Sequence, residues 1–227
     1  MLQRLLGTDF FRRRALRRAS PGVMQDFLAV PHPTRRTPCQ DVRIVALDFE
    51  TTGLDPKRDS ILSVGLIDIA DMRIQVNTAW HQVVKVERAI PASSAVVHEI
   101  TDDQAAAGAA LETVLPRVLE QLRGAVMLAH YGRIEQTFLN AACRRLYGAP
   151  FVIPTIDTLA LAQRLFSLRN HSVQSGDLRL FNLRPRYNLP RYKAHNALSD
   201  ALCTAELFLA LVADMAPRRC RLGDFLV

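Results

Sequence analysis

Residues 42–56 read VRIVALDFETTGLDP. The run is apolar and rich in β-branched residues as far as Thr52. Gly53 and Asp55-Pro56 follow it as a turn signal, so it predicts a buried central strand over 42–52. Asp48 and Glu50 break the apolar character. Side chains two apart on a strand face the same side, so both carboxylates point one way out of an element suited to burial. Like charges held side by side are costly without a cation, and carboxylate oxygens are ligands that suit Mg²⁺ or Mn²⁺. A D-x-E triplet alone is a weak signal; a strand end protruding into water is its simpler reading.

Outward from this strand, 61–70 and 72–86 predict two more strands with Asp71 at the turn, giving a three-stranded antiparallel meander. Leu111, Val114, Leu115, Val118, Leu119 and Leu122 have helical spacing over 111–123. A short strand is expected at 125–130, and a helix from Glu135 to Leu146. Asp157-Thr158 is read as the start of another helix, with Asp157 as its cap. Residues 169–194 read as a loop, and a last helix runs from Asn196 to Met215. Strands followed by alternating helix and strand give an α/β mixed sheet, a meander plus parallel strands, flanked by helices.

The chain has 227 residues, 49% hydrophobic and 22% charged, with a net charge of +7. That composition is globular, and no stretch is long and apolar enough to span a bilayer, so integral membrane association is not expected. Cys39, Cys143, Cys203 and Cys220 are far apart without a C-x-x-C pair, which reads as reduced thiols and a cytoplasmic setting of the bacterial type. Residues 1–40 carry eight Arg against Asp9 and Asp26, leaving 21 basic and 20 acidic residues in the other 187. The chain therefore divides into a basic arm over 1–40, a nearly neutral domain over 41–215 and a tail over 216–227. The arm reads either as a solvated terminus or as a short amphipathic helix that touches nucleic acid, an acidic partner or a membrane surface.

The run D-F-E-T-T-G-L-D-P (48–56) resembles the first motif of the DnaQ-like 3′–5′ exonucleases, the family of the DNA polymerase III epsilon proofreading subunit. M-L-A-H-Y-G-R-I-E-Q-T-F-L (127–139) is similar to the second motif. H-N-A-L-S-D-A-L-C-T-A-E-L (195–207) is similar to the third in its histidine-containing (DEDDh) form, and A-V-V-H-E-I-T (95–101) resembles a further segment of the family. The motifs occur in the family's order, and the resemblance spans about residues 42–212. It implies a ribonuclease H-like fold. It also implies two divalent ions, Mg²⁺ or Mn²⁺, held by Asp48, Glu50, Glu135 and Asp200, with His195 as the base. Glu135 stands where the family usually has Asp, and Tyr131 where it usually has Asn. The extra methylene lets the Glu135 carboxylate reach about 1.5 Å further.

The same resemblance places Thr51, Thr52, Gly53 and Leu54 against the terminal nucleotide, with Leu54 as a wedge beside its base, and His98 near the substrate strand. The implied reaction is hydrolysis of a phosphodiester at the 3′ end of single-stranded DNA, releasing 5′ nucleoside monophosphates in proofreading, repair or end-trimming. Two ions about 3.5–4 Å apart would activate water and stabilise the leaving oxygen. The T-T-G form of the first motif favours DNA. An RNA-trimming exoribonuclease and a noncatalytic module that binds nucleic acid or a polymerase are the rival readings. Residues 179–193 interleave Arg179, Arg184, Arg186, Arg191 and Lys193 with Phe181, Tyr187 and Tyr192. That pattern fits either a strand-following loop or a surface loop whose aromatics cap the core. The oligomeric state is not legible.

Overall fold

The computed structural model describes residues 2–86, 90–91, 94, 98–174, 176–215 and 220–226. Most of the A-V-V-H segment (95–97) and part of the C-terminal tail lie outside the described residues. Among these residues, β1 (Ile44–Thr51), β2 (Ile61–Ala70), β3 (Arg73–Val83), β4 (Val126–Ala129) and β5 (Thr155–Asp157) form one sheet in the order β3-β2-β1-β4-β5. The first three pair antiparallel, as the meander required. β1, β4 and β5 run parallel. Asp71 and Met72 both adopt positive φ in the two-residue turn between β2 and β3, the conformation that matches the twist of a tight hairpin.

Eight α-helices are described: α1 (Leu2–Leu16), α2 (Val23–Ala29), α3 (Asp102–Ala106), α4 (Leu111–Leu122), α5 (Arg133–Tyr147), α6 (Thr158–Leu168), α7 (Leu180–Leu183) and α8 (Ala197–Met215). β1 is covered on both sides. Val45, Leu47 and Phe49 pack against the α4 stripe of Val114, Leu115, Val118, Leu119 and Leu122 and against Phe138 and Leu139 of α5. Ile44 and Ala46 face Leu161 and Leu165 of α6 and Ala201, Ala205 and Phe208 of α8. Burial on both faces explains why β1 reads as a continuous apolar run rather than an alternating one.

Two expectations are corrected in their detail. β5 takes in Asp157, read only as the start of a helix, together with Thr155 and Ile156, which were assigned to no element. Three residues carry no usable periodicity, and β5 exists because Met127–Ala129 of β4 offer it a parallel partner. Residues 169–194 are not loop throughout, since α7 and a 3₁₀ turn over Arg184–Tyr187 lie inside them.

The basic N-terminal segment is helical and packed. Met24, Phe27 and Leu28 enter the core that holds α4, and the Phe27 ring stacks on Phe151 with centroids 5.4 Å apart. Buried Arg12 ties α1 to α2 through the Leu28 carbonyl. At the other end, Leu222 and Phe225 lie in the core under α8. Leu226 bridges to Ile156 of β5, and Arg221 to Pro38.

β3 is buckled. Its register against β2 shifts between Leu66 and Asp68. There the Thr78 hydroxyl accepts the Asp68 N–H at 2.9 Å and donates to the Gln75 carbonyl at 2.7 Å.

Candidate active site

β1 pairs with β4 only over Ile44–Ala46, although it stays paired with β2 as far as Thr51. The two parallel strands therefore part where β1 carries its acids, and a crevice opens beyond the carboxyl ends of the strands. Open α/β sheets bind ligands at such a place. Asp48 and Glu50 lie on the α8 side of β1, opposite Gly65 and Ser63 of β2.

Gly65 decides how closely α8 approaches. A Cβ at this position would lie 2.2 Å from the backbone of Ala197 and Leu198. The first turn of α8 thus rests directly on β2, and this seating carries Asp200 to the acids of β1. The Asp200 backbone N–H bonds the Asn196 carbonyl at 2.8 Å. Its carboxylate accepts the His195 backbone N–H at 3.1 Å. His195 itself is exposed and has a left-handed backbone, φ 65°, a conformation disfavoured for a non-glycine residue. The bond from its N–H to Asp200 helps to hold it there. One ligand atom from each of Glu50, His195 and Asp200 falls within 4.8 Å of the others.

Glu135 enters from the first turn of α5, 3% exposed. Asp157 organises that turn. Its carboxylate accepts the N–H groups of Tyr131 and Gly132, each at 3.1 Å, and those of Leu159 and Ala160 at the start of α6. The capping role expected for Asp157 is thus present, and it extends to the entrance of α5. Tyr131 is 46% exposed and holds a positive φ of 65°.

The acids raise one another's proton affinity. Burial, then the charges of Glu135, Asp200 and Glu50, push Asp48 well above the ordinary carboxylate range. Burial and the Asp200 charge raise Glu50 to about 7. Burial leads in raising Glu135 to about 8, against backbone hydrogen bonds that favour its ionised form. Asp200 rises to about 6, again chiefly through burial, with the His195 backbone bond and the His195 and Arg184 charges opposing. Glu135 Oε2 and Asp200 Oδ1 are buried without a hydrogen-bond partner among the described residues. Unshared buried carboxylate oxygens are expensive. Hard oxygen donors with one imidazole nearby are a set that Mg²⁺ or Mn²⁺ would satisfy.

The remaining residues singled out in the sequence are placed less uniformly. Leu54 projects at the crevice margin, 75% exposed. The Thr51 hydroxyl donates to the Gly53 carbonyl at 2.7 Å, while Thr52 pairs backbone and side chain with Ser60. Gly53 is a close-approach position, since a Cβ there would meet the Asp59 carboxylate at 2.4 Å. His98 is buried with both ring nitrogens engaged: Nδ1 accepts the Ile100 N–H at 3.0 Å and Nε2 pairs with Ser94 Oγ at 2.8 Å. Ser94 in turn donates to the Thr51 carbonyl. His98 therefore braces the strand end, and its ring offers no free nitrogen.

Much of the basic loop is held internally. Arg184 is fully buried and bonds the Cys203 and Pro190 carbonyls and Glu206 Oε2 at 2.7–2.8 Å, under the Tyr192 ring. Arg186 pairs with Asp177, and Lys193 with Glu99. Gly65 and Ser63 were not singled out from sequence, and Arg184 was named only as one of five cations of a strand-following or surface loop, not as a buried brace. A glycine inside a strand is a recognisable sign of close backbone approach, so Gly65 had a signal. A single Arg among many in a loop has none.

A family model described as exonuclease matches residues 45–208. DNA polymerase III PolC-type of Thermotoga petrophila is 34% identical over 176 residues, covering 78% of this chain but 12% of the relative. The chain thus spans about an eighth of that protein. DNA polymerase III subunit epsilon of Treponema pallidum is 29% identical over 178 residues, 78% of this chain and 80% of the relative. Among solved structures, the nuclease domain of 3'hExo, a DEDDh family member bound to rAMP, superposes with a TM-score of 0.65 at 18% identity. It covers 78% of this chain and 94% of that one. The mixed sheet with its flanking helices is therefore the ribonuclease H-like fold expected from the sequence.

Proposed function

The chain belongs to the DnaQ-like (DEDDh) exonuclease family, and on that premise we propose that it removes 5′ mononucleotides from the 3′ end of single-stranded DNA in proofreading, repair or end-trimming. The observation that carries this reading is the convergence of four carboxylates from β1, α5 and α8, two of them with a buried, unshared oxygen. Asp48, Glu50, Glu135 and Asp200 would hold two divalent ions, Mg²⁺ or Mn²⁺, which supply an acidified water and charge compensation for the leaving oxygen.

The chain's own groups do the rest. His195, exposed at the mouth beside Asp200, takes the proton from the attacking water through a ring nitrogen, as a neutral imidazole can. Asp200 holds the His195 backbone in position. Thr51, Thr52 and Gly53 present a short, small-residue wall to the terminal sugar and phosphate, and Leu54 offers an apolar face to the last base. His98 supports that wall from behind. Residues 41–215 form the catalytic portion, and the described residues of the flanking segments, Met24, Phe27 and Leu28 before it and Leu222 and Phe225 after it, pack against it. A cytosolic site of action and a polymerase partner belong to the same proposal, the latter supported by the polymerase III relatives.

A 3′-end-labelled strand with Mg²⁺ or Mn²⁺ tests it. Mononucleotide release that chelation abolishes is expected. Absence of release with either ion would leave a noncatalytic binding module. Matched DNA and RNA strands then decide the sugar, and faster turnover of RNA would overturn the DNA assignment.

A further inference from the structure

A groove of about 1500 Å³ lies between the basic N-terminal segment and α5. One wall is α1 with Phe11 and Arg14, continued by Arg18 in the turn that follows it, and Arg35 closes it further along. The other is the outer face of α5, with Arg133 at its start and Arg144 near its end. Residues 150–155, which lead into β5, form the floor.

Two acids line the groove, and both are occupied. Asp9 is ion-paired with Arg12 and Arg13. Asp157 accepts four backbone N–H groups. Arg14, Arg18 and Arg133 are exposed, and no described carboxylate pairs with them. The groove is therefore a strip of uncompensated positive charge. It is larger and more open than a site for a small molecule. Its course is also informative. Gly132, just past the carboxyl end of β4, and Asp157, the last residue of β5, both line it, on the same margin of the sheet as Asp48 and Glu50. From Arg133 to Arg144 it follows about 16 Å of helix, the span of four or five phosphates at about 3.4 Å along a stacked strand.

We propose that this groove binds the upstream part of a nucleic-acid strand whose 3′ end lies at the carboxylate cluster; the assignment of that end rests on the exonuclease reading above. Guanidinium groups take the phosphates as bidentate donors, and the Phe11 ring is a stacking surface for a base. The wall that completes the groove precedes residue 45, where the family match begins. Grip on the strand is thus an attribute of this chain's own N-terminal segment, separable from the chemistry.

The test uses the full chain and the triple variant Arg14→Glu/Arg18→Glu/Arg133→Glu. Binding of a fluorescent 20-residue oligothymidylate is measured in EDTA at several salt concentrations. The variant is expected to bind at least ~10-fold more weakly, and its log–log salt slope to fall by about 2, three contacts at about 0.7 each. An unchanged affinity and slope in a folded variant overturns the proposal. Equal displacement of the strand by polyglutamate at matched charge also overturns it, in favour of an acidic protein segment. If the glutamates unfold the protein, Arg14→Gln/Arg18→Gln/Arg133→Gln carries the same comparison. Cleavage of 5- and 20-residue strands with Mn²⁺ separates the two readings: the variant is expected to lose the advantage of the longer strand and to keep its rate on the shorter. A chain that binds but never cleaves retains the groove and loses the exonuclease assignment.

Discussion

His195 and Glu135 are the residues on which the proposed chemistry turns. His195 sits in a strained backbone conformation, its N–H on Asp200 and its side chain in water. A ring so placed is free to move over a bound strand end. His195→Ala is expected to lower kcat at least ~10²-fold, the usual contribution of a positioned base. The fold should be unchanged by circular dichroism, and a rate within two-fold of the parent would remove the base assignment. Glu50 yields a second expectation. Its folded pKa of about 7 lies above the unfolded value of about 4.3. The folded state therefore binds the extra proton, and the resulting stability is present below the unfolded value and lost as pH rises through 7. In EDTA at pH 8, Glu50→Gln should melt above the parent, by about 2–4 °C for each kcal/mol relieved. At pH 4 the two should melt together. A variant that melts lower at pH 8 would mean that this carboxylate is well solvated. That Asp48, Glu50, Asp200 and His195 would come together was legible because the first and third of three ordered motifs, which hold them, are specific. The bracing role of His98 was not, because it depends on Ser94 and Ile100, whose approach only the folded chain brings about.

At the scale of elements, the contact that matters is between β2 and α8. Gly65 leaves no room for a methyl group against Ala197 and Leu198. Gly65→Ala should destabilise the protein by about 1–3 kcal/mol. It should also reduce kcat by more than the unfolded fraction explains, since it displaces the turn that carries Asp200. Thermal melting and steady-state kinetics on the same sample check this. A second contact holds the opposite flank. Buried Arg184 fastens residues 184–192 to α8 through Cys203 and Glu206, and that segment leads directly to His195. Arg184→Ala leaves Glu206 with only the Tyr192 hydroxyl and the Cys203 and Pro190 carbonyls without their donor, and should cost about 3 kcal/mol, as read by urea denaturation. The helix stripes and the meander were legible from periods of 3.6 and 2. β5 was not, since three residues are too few to show a period and its existence is decided by β4.

For the whole molecule, the N-terminal segment is part of the packing although its composition reads as an appendage. Eight arginines dominate its charge, yet Met24, Phe27 and Leu28 bury as deeply as residues of β1. An apolar stripe of three residues on a seven-residue helix is too short to stand out beside that charge, so its docking could not be read in advance. Phe27→Ala should destabilise the entire chain by about 3–5 kcal/mol in a single transition, measured by denaturant unfolding with two probes. A separate early transition confined to one probe would mean that the segment folds on its own. The buckle in β3 has an effect of another kind. β3 is the outer margin of the sheet, where unpaired peptide groups invite foreign chains to add on and grow into aggregates. Where Thr78 diverts the backbone, no straight template longer than a few residues is presented. On the proposal that the opposite margin meets a nucleic-acid strand, this buckle is expected to keep the protein from polymerising through its other side.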